Sequence, residues 1–105
     1  MQIVPLQPVP AQILNIQLDI QDVTLNVYQK NYGLFIDVYL NNVLIIAGQI
    51  CQNLNPIIRG DYIGFIGNLG FIDLQSDPNG IGNDPIYTGL GSRYVLAYLE
   101  ASDLA

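Results

Sequence analysis

"LFIDVYLNNVLIIAGQI", residues 34–50, decides the reading of this chain. Leu34, Ile36, Val38 and Leu40 alternate with Phe35, Asp37 and Tyr39. Asp37 therefore falls on the face opposite the Leu34–Leu40 set, which is the period-two pattern of a half-buried strand. Asn41 and Asn42 follow, and asparagine tolerates positive φ. Two such residues between apolar runs predict a tight hairpin turn. The returning run, 43–50, is apolar on both faces. That pattern predicts a central strand.

The same periodicity extends upstream. Leu14, Ile16, Leu18 and Ile20 alternate with Asn15, Gln17, Asp19 and Gln21, and Val23, Leu25 and Val27 alternate with Thr24 and Asn26. Asn31-Tyr32-Gly33 supplies a turn. Downstream, 53–56 breaks the chain, 62–74 carries one or two short strands, and 94–99 is the last strand. Residues 75–85 (QSDPNGIGNDP) are a loop by composition. Five alanines, one glutamate and one lysine stand against fifteen isoleucines, seven valines and seven tyrosines, and no segment shows a helical stripe. The fold expected is all-β: a small antiparallel sandwich or barrel of about six to eight strands.

The chain has 105 residues, which suits one domain. Residues 1–12 hold Pro5, Pro8 and Pro10, which fix φ and remove donors. They read as an extended N-terminal arm, leaving residues 13–105 as a single β domain. The arm residues Val4, Pro5, Pro8 and Pro10, with the amphipathic Tyr62 and Tyr87, are the candidate contacts to partners. The start has no basic residue and no long apolar run, so a signal peptide is not expected. Apolar runs such as 43–47 are too short to span a bilayer as a helix.

Charge is the anomaly. Only 3 basic and 9 acidic residues occur, for a net charge of −6, while ten Asn and nine Gln supply polarity. Soluble domains carry about 25% charged residues, against 11% here. Interfaces are depleted in Lys, Glu and Asp, so a surface largely covered by partners fits this composition. Three basic residues do not make a nucleic-acid-binding face.

Catalytic chemistry finds little to use. Without a histidine there is no Ser-His-Asp or Cys-His arrangement. Cys51, the single cysteine, follows an apolar run without a basic neighbour and reads as a buried structural thiol. Thr88-Gly89-Leu90-Gly91-Ser92-Arg93 looks superficially like a phosphate loop. A strand rather than a helix follows it, and the third glycine and the Gly-Lys-Ser/Thr element are missing. Gly89 and Gly91 are read instead as a turn into the last strand, with Arg93 fastening it through a carbonyl or carboxylate. Asp77 and Asp84 in one loop fall short of a calcium repeat. Asp61 and Asp73 are not singled out as a glycosidase pair. No catalytic, cofactor-binding or metal-ligating residue is assigned. The seven tyrosines leave a carbohydrate-binding module as the alternative.

Four stretches together carry a resemblance: MQIVPLQPVPAQ (1–12), NVYQKNYGLFIDVYLNN (26–42), VLIIAGQICQNLNPIIRGDYIGFIG (43–67) and DPIYTGLGSRYVLAYLE (84–100). Across nearly its whole length the chain resembles the small baseplate plug proteins of contractile-tailed phages, of the cyanophage type. The resemblance implies a non-enzymatic virion protein of the tail baseplate, made in the host cytoplasm, that plugs the tube and hub lumen. It implies hub and tail-tube or initiator proteins as partners, and a symmetric set of three or six copies. It carries no membrane or nucleic-acid role, no cofactor and no functional residue list.

Overall fold

A computed structural model describes residues 2–18, 21–31, 33–54, 57–58, 67–75 and 82–99. The described residues form seven strands: β1 (Gln2–Val4), β2 (Ala11–Leu18), β3 (Gln21–Lys30), β4 (Gly33–Leu40), β5 (Val43–Ile50), β6 (Asn68–Asp73) and β7 (Tyr94–Leu99). A single 3₁₀ turn, Tyr87–Gly89, precedes β7, and no α-helix occurs among these residues. The strands make two antiparallel sheets, ordered β2-β3-β4-β5 and β1-β7-β6. The expected all-β antiparallel fold is present, and of the two expected forms it is two sheets and not a closed barrel.

The period-two pattern works as its physics requires. Val23, Leu25 and Val27 of β3 and Leu34, Ile36, Val38 and Leu40 of β4 are buried, and their alternating neighbours are half-exposed. These residues share one apolar core with Leu69 and Phe71 of β6 and Tyr94, Leu96 and Tyr98 of β7. Gln21 ties the sheets across that core, its Nε2 donating to the Leu18 carbonyl at 3.1 Å and to the Tyr98 hydroxyl at 3.4 Å. Asn41 and Asn42 turn the β4–β5 hairpin with φ of 51° and 67°, and Leu40 pairs directly with Val43.

Two features differ from the sequence reading. First, β5 is an edge strand rather than a central one. Beyond Ile50 the chain crosses to the other sheet, where Asn53 bridges Phe71 and the Leu54 and Ile57 amides donate to the Phe71 and Leu69 carbonyls. That crossing closes the free side of β6 and leaves β5 without an outer neighbour among the described residues. Both faces of β5 are open at its start: Val43, opposite Leu40, is 62% exposed, and Leu44, opposite Tyr39 on the outer face, is 48% exposed.

Second, residues 2–12 do not stand off as an arm. Gln2–Val4 pairs antiparallel with β7, from Gln2↔Tyr98 to Val4↔Leu96. Val4 and Leu6 are 2% and 6% exposed within the shared core. The prolines confine regular pairing to three residues, but the apolar side chains beside Pro5 still find the core. β2 begins at Ala11, inside the span assigned to the arm. Only 5–10 keeps an irregular course, with Pro5, Pro8 and Pro10 exposed.

Candidate interaction surface

The outer face of the four-stranded sheet is built by the residues that alternate with the core set. The register places Asn15, Thr24, Tyr39 and Leu44 in one row across it, and Ile13, Asn26 and Asp37 in the next. Ile13, Thr24, Asn26, Tyr39 and Asn42 line a shallow, open recess of about 300 Å³. Its walls mix apolar, amide and hydroxyl groups, with no charged residue among the described ones.

Polar groups on this face are already committed to one another. Asn15 Nδ2 donates to Asp22 Oδ1 at 2.6 Å and to Thr24 Oγ1 at 2.9 Å. Asp37 accepts from the Tyr28 hydroxyl at 3.1 Å, Asn26 Nδ2 at 3.3 Å and the Gly48 amide at 2.7 Å. The last bond has a backbone cause. The β4–β5 register breaks between Ile36 and Val38, and Gly48, at φ 63°, turns its N–H toward Asp37. Here a bulge re-aims a donor. Tyr28 and Phe35 stack with centroids 6.1 Å apart, and the Lys30 ammonium lies about 5.5 Å from both rings.

The second notable site is the segment before β7. The Asp73 side chain is fully buried and forms a two-point ion pair with Arg93: Nε to Oδ1 at 2.9 Å and Nη2 to Oδ2 at 3.0 Å. The same carboxylate accepts the Gln75 amide at 2.9 Å and the Asn83 amide at 2.8 Å. One side chain thus holds both ends of the 75–83 loop and the strand lead-in. The Arg93 hydrogen bonds hold the Asp73 carboxyl well below the usual carboxylate range, against the opposing effect of burial. Arg93 is pushed up in turn, chiefly by its bonds to Asp73. A carboxylate held ionised in this way is a poor proton donor or acceptor near neutral pH.

The two glycines of this segment serve different ends. Gly91 sits at φ 83°, and a Cβ there would lie 2.6 Å from the Leu6 carbonyl oxygen. Gly89 needs no left-handed angle. A Cβ on it would meet the Tyr94 ring at 2.7 Å, while the Arg93 guanidinium lies 5.1 Å from the centre of that ring. Close packing on Tyr94 is what Gly89 provides.

Of the candidate contacts, Val4 is internal, Pro5, Pro8 and Pro10 are exposed, and Tyr87 is half-buried against the core. Tyr87 also receives a tie across the sheets, its amide donating to Gln29 Oε1 at 3.2 Å. Tyr62, Asp61, Asp77, residues 62–66 of the expected strand region and residues 76–81 of the loop lie outside the described residues. The role of Asp73 was missed in the sequence reading. A lone acid at a strand end, twenty residues before an arginine, gives no local signal. Cys51 is buried, and burial raises its thiol pKa.

The described residues contain no group of three or more His, Cys, Asp or Glu placed to hold a metal ion. They contain no helix long and apolar enough to cross a membrane. The buried Tyr94 and Tyr98 are not available as a sugar platform, and nothing else favours the carbohydrate-binding alternative. The site offers contact surface, with the few ionised groups that it describes largely bonded internally. Against known protein families, residues 1–101 match the family described as cyanophage baseplate Pam3 plug gp18. The chain belongs to that baseplate plug family. A search of curated proteins finds no match. As a plug-family member the chain has a structural role, is located in the virion tail and assembles with other baseplate proteins. That role accords with a surface poor in charge and rich in amides.

Proposed function

We propose that this chain is a non-enzymatic plug at the centre of the baseplate, closing the lumen of the hub and tail tube until contraction. The observation that carries the reading is family membership across residues 1–101 of 105. The surface supports it. Ile13, Val43, Leu44, Leu54, Leu74 and Ile86 are all exposed on a chain with only twelve charged residues, and a free monomer keeps soluble with more charge and fewer apolar patches. Hub and tail-tube or initiator proteins are the partners this reading supplies, and the exposed Pro5 and residues 7–10 are the part of the N-terminus left to reach them. The chain is made in the host cytoplasm and ends in the virion.

Cryo-electron microscopy of intact and contracted particles tests the proposal. Density for this chain on the tail axis before contraction, and displaced or absent afterwards, is the expected result. Density at the baseplate periphery, or an axial plug unchanged in a contracted particle that has released its DNA, overturns it.

A further inference from the structure

The two edges of the four-stranded sheet are not equivalent. β5 carries two register breaks and a positive-φ Gly48, and bulges of this kind spoil pairing with a further strand. β2 carries none of the usual protections. Its eight residues, AQILNIQL, include no charge and no proline, and they pair with β3 without a break from Ala11↔Tyr28 to Leu18↔Gln21. Ile13 is 72% exposed on it, the largest exposure of any large apolar residue described.

The direction of the free backbone groups follows from one bond. The Gln29 amide donates to the Pro10 carbonyl at 2.8 Å, so residues 10 and 29 form a hydrogen-bonded pair. Alternation along the ladder then gives Gln12, Leu14, Ile16 and Leu18 to β3. Ala11, Ile13, Asn15 and Gln17 turn their N–H and C=O groups outward, where no described residue meets them.

We infer that this edge binds the same edge of a second copy of the chain, antiparallel, about a twofold axis through Asn15. An antiparallel pairing centred on Asn15 sets outward-facing residues of the edge opposite outward-facing ones, which a centre between two residues cannot do. Centring on Asn15 puts Asn15 opposite Asn15 of the second copy and Ile13 opposite its Gln17, the residues whose backbone groups point outward. It also puts Leu14 opposite Ile16 of the second copy on the core face. Both are only half-buried in the single chain because β2 is an edge. The junction forms about six backbone hydrogen bonds and joins two sheets into one of eight strands. A twofold contact uses both edges and closes on itself, so it gives a pair rather than a fibre. The inference concerns the free chain and stands apart from the plug reading.

A single-strand contact is small and belongs to the weak class of interfaces, so the full chain is studied by sedimentation velocity up to about 100 µM. A reversible monomer–dimer equilibrium is expected. Asn15→Pro removes one outward donor without touching the β2–β3 ladder, and Ile13→Lys places a charge on the edge. Each variant should stay monomeric with an unchanged circular dichroism spectrum. Paired Asn15 Cα atoms would lie about 5.5 Å apart, within disulfide range, so oxidised Asn15→Cys should run as a covalent dimer. Cys51, being buried, gives no such background. A wild-type chain that is monomeric throughout overturns the inference. So does a dimer that folded Asn15→Pro leaves intact, or covalent dimer from Leu44→Cys on β5 but not from Asn15→Cys.

Discussion

Truncating Val4 and Leu6 to alanine should remove a large share of this protein's margin of stability, although both lie among the first six residues. Leu6 is 6% exposed and Val4 2%, and both belong to the shared core. A buried Leu→Ala change costs about 2–5 kcal/mol. Val→Ala removes two buried carbons at about 0.8 kcal/mol each. The double variant thus loses roughly 4–6 kcal/mol, against a total of about 5–15 kcal/mol for a domain of this length. With a urea slope of about 1.5 kcal/mol/M, the midpoint should fall by roughly 3 M. Ile3→Ala is the control. Ile3 is 48% exposed and on the other face of β1, so its midpoint should move by less than about 0.5 M. Equilibrium urea unfolding followed by tyrosine fluorescence, at low chain concentration, reads all three. A double variant within about 0.5 M of wild type would show that the N-terminal residues lie outside the cooperative unit. The reasoning from burial would then be wrong, and residues 1–12 would be the detachable arm that their prolines suggest.

Asp73→Asn should lower the melting temperature and loosen both ends of the 75–83 loop, seen as faster hydrogen exchange at the Gln75 and Asn83 amides. Because the folded pKa of Asp73 lies below its ordinary value of about 3.9, its stabilisation is present above that value and is lost as pH falls through it toward the folded pKa. Acid titration of stability should therefore be steeper below about pH 4 in the wild type than in Asp73→Asn; parallel curves would refute the assignment. Gly91→Ala should cost at least about 1–2 kcal/mol, from the left-handed backbone alone, and more if the Leu6 carbonyl cannot shift; a thermal melt equal to wild type would count against it. Cys51 should resist a water-soluble disulfide reagent in the native protein and react at the rate of unfolding, because burial both shields the thiol and keeps it protonated.

The sequence by itself determined the class of the fold, the hairpin at Asn41-Asn42, the core faces of β3 and β4 and the position of β7. Each depends on neighbours two residues apart or on a two-residue turn, and such local constraints are written in order along the chain. The resemblance across four stretches also placed the chain in its family, through residues that matter as a set. Tertiary structure alone decided the rest. Apolarity on both faces of β5 reads as a central strand, but whether a strand is central depends on where the chain goes next, and here it leaves to close β6. Prolines at 5, 8 and 10 read as an arm, but three residues before them suffice to pair with a strand more than ninety positions away. Asp73 and Arg93 meet only because β6 and β7 are neighbours in register. Which polar residue becomes a buried anchor, and which edge is left open, are properties of long-range pairing, and no local pattern encodes them.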